Sequence, residues 1–206
     1  MAGFTLVHGS WHGGWAWEPL RGELEARGHT VAAPDLPCDD VTAGIAEYAQ
    51  LVPPADVLVG HSLGGLTIPL VAARLHVFLC ALVPGIDRTD AFVPGFGSTR
   101  IRDELGRSYY PDPADAAREL QYPEEAAPLA QKLRRQAPVD STVTQRGPAL
   151  YIVCTRDAAI RPAWQRIAAR AVGPSVDLDA GHSPMLTHPR KLADILESAA
   201  GEAGIV

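Results

Sequence analysis

The chain has 206 residues, enough for one domain with a substantial core. Its 47% apolar and 20% charged residues form the ordinary composition of a globular protein. A net charge of −6 with no strong basic cluster argues against nucleic acid or an anionic membrane as the main partner.

The first residues, MAGFTLVHGS, lack both a basic n-region and an apolar stretch of secretory length. No apolar run later in the chain approaches a membrane span, so a cytoplasmic location is expected. FTLVH (4–8) reads as a strand and leads into the Gly/Trp-rich GSWHGGWAW (9–17). EPLRGELEARG (18–28) sets Leu20 and Leu24 on one helical face and ends at Gly28, placed as a C′ glycine. HTVAAPDLP (29–37) is a second strand stopped by prolines, and TAGIAEYAQLV (42–52) a short helix. ADVLVGHS (55–62) is a third strand, LGGLTIPLVAARL (63–75) a helix, and HVFLCALVP (76–84) a fourth strand.

From Gly85 to Gly147 prolines and charges dominate. Only helical fragments stand out there, PADAAREL (113–120) and PEEAAPLAQKLRRQ (123–136), and the basic KLRRQ within the second reads as a solvated face. Alternation then resumes with strand PALYIVCT (148–155), helix RPAWQRIAARAV (161–172), strand SVDLDAGH (175–182) and helix PRKLADILESAA (189–200). Thr187 and His188 stand at the start of that last helix, with Pro189 in its first turn. Cys38, Cys80 and Cys154 are odd in number and widely spaced, two of them inside apolar runs, which fits buried reduced thiols better than disulfides or zinc. Lysine occurs only at Lys132 and Lys191, which points to a GC-rich bacterial genome.

Continuous apolar strands separated by helices indicate an α/β fold. The expected architecture is a mostly parallel sheet of about six strands, covered on both faces. Residues 1–206 form a single domain in this reading, with 85–147 a small cap over the C-terminal edge of the sheet, where open α/β sheets bind ligands.

VGHSLGG (59–65) places Gly-x-Ser-x-Gly at a strand-to-helix turn. Glycines clear the space for a tight bend that leaves the Ser62 hydroxyl standing above the sheet as a nucleophile. N–H groups at the start of the following helix would help hold an oxyanion. A plain glycine-rich turn is the competing reading. Serine needs a base, and the base an orienting acid, in the order Ser…Asp/Glu…His. Asp157 follows one late strand and His182 the next, so both reach the edge that carries Ser62. Asp87, after the fourth strand, is the rival acid. Asp177 and Asp179 flank the last strand, His61 points away from the serine, His188 is solvated, and His8 and His12 are structural or pocket-lining. The oxyanion donors are expected to be the Leu63 amide and one from the loop HGSWHGG, where Ser10 follows the first glycine.

The blocks FTLVHGSWHGGWAWEPL, VLVGHSLGG, YIVCTRDAAIRPAWQ and LDAGHSPMLTHP together resemble the α/β-hydrolase family, in the branch of plant methyl esterases and hydroxynitrile lyases. The resemblance implies the α/β-hydrolase fold, with Ser62 as nucleophile, Asp157 as acid and His182 as base. It assigns the oxyanion hole to the amides of Ser10 and Leu63. Two departures stand out: the connection AARLHVFL is short, and the cap is reduced. Trp11, Trp15, Phe92, Phe96, Tyr109, Tyr110 and Tyr122 are candidates for an apolar pocket, each also explicable as ordinary packing.

The expected activity is a serine hydrolase of carboxylesterase type on a small, largely apolar ester, with no cofactor and no metal. The partner is then a small-molecule ester, not nucleic acid or membrane, bound by a monomer or homodimer. Thioesterase or lactonase action, a carbon–carbon lyase and a non-catalytic binding protein are the alternatives. A cyanohydrin lyase of the resembling kind carries a lysine directly after the base, where this chain has Ser183 and its nearest lysine is Lys191.

Overall fold

The computed structural model describes residues 1–126, 129, 145 and 147–206. Six strands form one parallel sheet: β1 (Gly3–Val7), β2 (Thr30–Ala32), β3 (Ala55–His61), β4 (Ala73–Leu79), β7 (Ala149–Cys154) and β8 (Ser175–Leu178), in the order β2-β1-β3-β4-β7-β8. Two short strands, β5 (Ile101–Arg102) and β6 (Ser108–Tyr109), pair antiparallel apart from it. Alternate residues of the central strands serve opposite faces, which is why these strands read as unbroken apolar runs. Phe4, Leu6, Val57, Val59 and Val77 meet Leu20 and Leu24 of α1 (Glu18–Ala26) and Leu192 and Leu196 of α5 (Pro189–Glu202). Val7, Leu58, Phe78 and Val153 meet Tyr48 of α2 (Ile45–Leu51) and Trp164 of α4 (Pro162–Val172) on the other face.

The helix signals at α1 and α5 hold. Gly28 has φ 85°, His29 N–H donates to Leu24 O at 3.1 Å and Gly28 N–H to Glu25 O at 2.9 Å, the paired bonds of a Schellman stop. Pro189 occupies the first turn of α5. In the 85–147 segment, α3 (Pro113–Leu120) is capped by Asp112, whose side chain accepts from Ala114 N–H at 2.8 Å. Of the second fragment expected there, Glu124–Ala126 forms a 3-10 turn, while 127, 128 and 130–136, with KLRRQ, lie outside the described residues. Cys38, Cys80 and Cys154 are buried thiols. Among the described residues no helix is long and apolar enough to cross a membrane.

One expectation fails. The helix read over 63–75 is absent, and two 3-10 turns, Ser62–Leu66 and Ile68–Leu70, stand in its place. β4 then starts at Ala73, before the expected His76, and stops at Leu79, since Cys80 has φ 36°. The cause is distance. β4 pairs with β3 from Ala55↔Ala73 to His61↔Leu79, so residues 62–72 must travel back along all of β3. That journey is about 20 Å at 3.3 Å per residue. A helix over the same residues would cover only about 16 Å and leave nothing for the turns at either end. Tighter, longer-pitched 3-10 turns and an extended Val71 (φ −116°, ψ 137°) span the gap.

Gly22 lies exposed in α1 with open space where a Cβ would stand, whereas a Cβ on Gly65 would overlap Leu82 O. Gly22→Ala should therefore raise the unfolding free energy by about 0.5–1 kcal/mol. Gly65→Ala should lower it by at least about 1–3 kcal/mol. Urea midpoints of the two variants check the opposite signs.

Candidate active site

Ser62 terminates β3 with φ 52°, a left-handed conformation that costs a non-glycine residue about 1–3 kcal/mol. Its neighbours must be glycine for steric reasons. A Cβ on Gly60 would lie 2.9 Å from Gly64 O, and one on Gly64 would lie 2.5 Å from Val7 O. On the loop after β1, a Cβ on Gly9 would stand 2.6 Å from the Ser62 Cβ. The bend is held by Leu82 N–H donating to Ser62 O at 2.9 Å.

Asp157 follows β7 and His182 follows β8, and both are buried. His182 Nδ1–H donates to Asp157 Oδ2 at 2.8 Å, which leaves Nε2 as the free lone pair of the neutral ring. Asp157 Oδ1 accepts from the N–H groups of Ala159 (2.7 Å) and Ile160 (2.9 Å), and Oδ2 also from Gln165 Nε2 (2.8 Å). Four donors converge on one buried carboxylate and fix its orientation. Gln165 of α4 is itself fixed, taking Cys154 N–H on Oε1 at 2.9 Å and giving Nε2–H to Ile160 O at 2.8 Å.

A second glutamine ties the two loops together from the 85–147 segment. Gln121, at φ 55° beyond α3, accepts on Oε1 from His182 N–H (2.7 Å) and Ala158 N–H (2.9 Å), and donates through Nε2 to Arg156 O (3.1 Å). Sequence reasoning passed over Gln121 and Gln165, since both act on residues remote in the chain or one helix away. His61 does not line the cavity that holds Ser62; its ring centroid lies 4.7 Å from that of His182, and Nε2–H donates to His182 O at 2.7 Å.

Ser62 and His182 line one cavity of about 390 Å³ together with Ser10 and Leu63. Leu63 opens the 3-10 turn, so its N–H sits where a helical start leaves donors unspent. The five-residue turn supplies these N–H groups without the longer helix expected behind them. Of the aromatic candidates, Trp11, Phe92 and Phe96 reach the cavity, while Trp15, Tyr109, Tyr110 and Tyr122 do not. Tyr122 OH instead donates to Trp11 O, and Tyr110 OH to Glu119 at 2.8 Å. Arg88 and Arg100 line the cavity too, and the sequence carried no sign of it. A larger open depression of about 800 Å³ lies at the other end of the strands, near Gly3, Asp56 and Arg74; no serine, cysteine or histidine lines it.

The rival acid is elsewhere. Asp87 is exposed and accepts from Thr89 N–H (3.0 Å) and Oγ1 (2.8 Å), which hold its carboxyl below the ordinary value. Asp177 pairs with Arg166 and Asp179 with Arg156. His188 Nδ1 lies 2.8 Å from Thr187 Oγ1. The group His61, Cys80 and His182 gathers three possible metal ligands within 4.8 Å. Part of it is already engaged: His61 Nε2 and Cys80 Sγ point at His182 O, and His182 Nδ1 at Asp157, which leaves His61 Nδ1 and His182 Nε2. Burial also pushes the Cys80 thiol well above its ordinary range, away from the thiolate a metal needs.

His8, His12 and His61 pack fully buried behind this edge, and desolvation pulls all three below their ordinary value of 6.5. For His8 the bonding agrees: Nδ1–H donates to Gly9 O at 2.8 Å and Nε2 accepts from Leu36 N–H at 2.9 Å, a pattern only the neutral ring can make. The unfolded chain takes up protons near pH 6.5 that the native one refuses, so stability falls as pH drops below that value. Each such histidine contributes about 1.4 kcal/mol per pH unit. Urea midpoints should decline steeply from pH 7 to 5.5; a flat or rising profile contradicts the buried neutral cluster.

Residues 6–195 match the model of the alpha/beta hydrolase family. Salicylic acid-binding protein 2 of Nicotiana tabacum is 30% identical over 251 aligned positions, covering 95% of this chain and 96% of that protein. Methylesterase 3 of Arabidopsis thaliana is 27% identical over 93% of each chain. Since this chain has 206 residues, at least 45 of the 251 aligned positions are gaps on its side. In three dimensions a pyrethroid hydrolase of Sphingobium faniae JZ-2 superposes with a TM-score of 0.79 at 23% identity, over 97% of both chains. The chain belongs to the alpha/beta hydrolase family, in the branch that holds the plant methylesterases, and is a hydrolase.

Proposed function

We propose that the protein is a cofactor-independent serine esterase that cleaves a small ester through an acyl-enzyme on Ser62. The observation that carries this reading is the placement of a strained Ser62 in one cavity with a His182 already bound to Asp157. His182 Nε2 takes the Ser62 proton as Oγ attacks the ester carbonyl. Asp157 holds the ring in the tautomer that this transfer needs and stabilises the imidazolium that forms. The N–H groups of Leu63 and Ser10 receive the oxyanion, His182 returns the proton to the leaving alcohol, and water then frees the acid by the same route. Segment 85–147 serves as the cap, with Gln121 fastening it to the acid and base loops. The name of the relative methylesterase 3 supports ester cleavage. For a cyanohydrin lyase of the resembling kind, the position after the base is unsuited. Ser183 Oγ donates to Leu120 O at 2.6 Å, and Lys191 lies exposed on α5.

A fluorophosphonate probe should label Ser62 and nothing else, as read by peptide mass spectrometry, and Ser62→Ala should abolish labelling. An adduct elsewhere, or none, removes the nucleophile. Asp157→Asn should keep the fold and lose about 10⁴-fold in kcat, because the imidazole then favours the wrong tautomer. Asp87→Asn should change kcat little, since its carboxylate is exposed and accepts from Thr89. The reverse ranking in a p-nitrophenyl acetate assay would transfer the acid's role to Asp87.

A further inference from the structure

The esterase reading gives no task to the two arginines of the cavity, and the inference below rests on that reading. The Arg100 guanidinium carbon lies 4.3 Å from the Trp11 ring centroid, 5.0 Å from that of Phe96 and 5.9 Å from that of Tyr110. Nε–H donates to Gly97 O at 3.3 Å. Gly97 has φ 78°, and a Cβ there would overlap the guanidinium, so the backbone beneath Arg100 is shaped to admit it. The charge is half-buried, and desolvation is the main influence on it.

Among the described residues Arg100 makes no ion pair, and no acidic side chain lines the cavity. The charge of Glu119 reaches Arg100 without an ion pair, since Oε2 accepts from Gly97 N–H (2.6 Å) and Tyr110 OH (2.8 Å), and Oε1 faces Thr99 Oγ1 (3.3 Å). Arg88 adds a second cation to the lining. Arg100 thus places a half-buried positive charge on the lining of the cavity that holds Ser62 and His182. Aromatic faces hold the guanidinium plane in place while leaving its edge N–H groups for a planar acceptor, and a carboxylate fits that fork.

We propose that the cavity selects esters that also carry a carboxylate, with Arg100 binding that carboxylate while the ester carbonyl lies at Ser62. The carboxylate belongs either to the acyl half, as in a half-ester of a dicarboxylic acid, or to the alcohol half, as in an acyloxybenzoate. Matched pairs separate the two. Monomethyl adipate against methyl heptanoate places the charge on the acyl side, and 4-acetoxybenzoate against 4-methylphenyl acetate places it on the leaving group. For each, kcat/KM is measured with the Ser62→Ala rate subtracted, in the wild type, Arg100→Met and Arg100→Lys.

In at least one pair the wild type should prefer the anionic ester. The anionic-to-neutral ratio should fall about 10- to 100-fold in Arg100→Met, the loss expected for a charge-assisted contact, and recover in part in Arg100→Lys. Should Arg100→Met fail to fold, the wild type decides: benzoate must inhibit cleavage of 4-methylphenyl acetate competitively at concentrations where benzamide does not. Neutral esters cleaved as well as or better than their anionic partners in both pairs overturn the selectivity and leave the esterase reading standing, as does a preference that survives in Arg100→Met. Absence of any Ser62-dependent cleavage overturns both.

Discussion

Backbone approaching backbone more closely than side chains allow is the constraint on which the rest of the catalytic edge depends. Gly64 abuts Val7 O, Gly65 abuts Leu82 O, and Gly9 abuts Ser62 itself, so the ends of β1, β3 and β4 meet with no Cβ between them. Leu82 N–H on Ser62 O closes the same junction from the β4 side. The left-handed Ser62 is affordable because the surrounding backbone leaves it no other place. Remove one of those close approaches and the hydroxyl loses its fixed position above the sheet.

Around that junction, the buried polar groups of the acid and base loops are densely partnered, although His61 Nδ1 and Thr67 Oγ1 are buried without a hydrogen bond among the described residues. Asp157 takes four donors, and the two glutamines that brace it and His182 come from different parts of the chain, α4 and the segment beyond α3. A neutral Gln suits both places, since it donates and accepts without a second buried charge to desolvate. The histidines behind the edge follow the same economy. They stay neutral because burial resists their charge, and His61 gives its single proton to the carbonyl of His182. Arg100 departs from this pattern as a half-buried cation with aromatic rings for company, and the departure falls in the cavity, where a ligand would complete it.

The short β3–β4 crossover shows how far the catalytic turn can be separated from the helix that usually follows such a motif. An oxyanion hole of the proposed kind needs only the first N–H groups of the turn, and Ser62–Leu66 has those. What is lost is the summed dipole of several further turns, so the local N–H groups must serve without much help from behind.

Much of this molecule is legible along the chain because some physical demands are local. A tight elbow writes its glycines beside its serine, a parallel strand buried on both faces writes a continuous apolar run, and Gly28 and Pro189 mark helix ends where φ or a missing N–H is set by position. Asp157 and His182 stand out as candidates because each directly follows a strand, and parallel strands bring all such positions to one edge. The helix read over 63–75 failed because propensity within a window contains no information about how far residues 62–72 must reach, a length set by the pairing of β3 with β4. Gln121, Gln165 and Arg100 were likewise silent. Their meaning lies in what they touch: Gln121 meets Arg156 and His182, 35 and 61 residues away, and Arg100 lies against Trp11. Sequence alone determined the strand order's raw material, the elbow and the candidate acid and base. Tertiary structure decided which acid meets the base, which side chains hold them and what charge faces the ligand, because those depend on distances in space that no local pattern encodes.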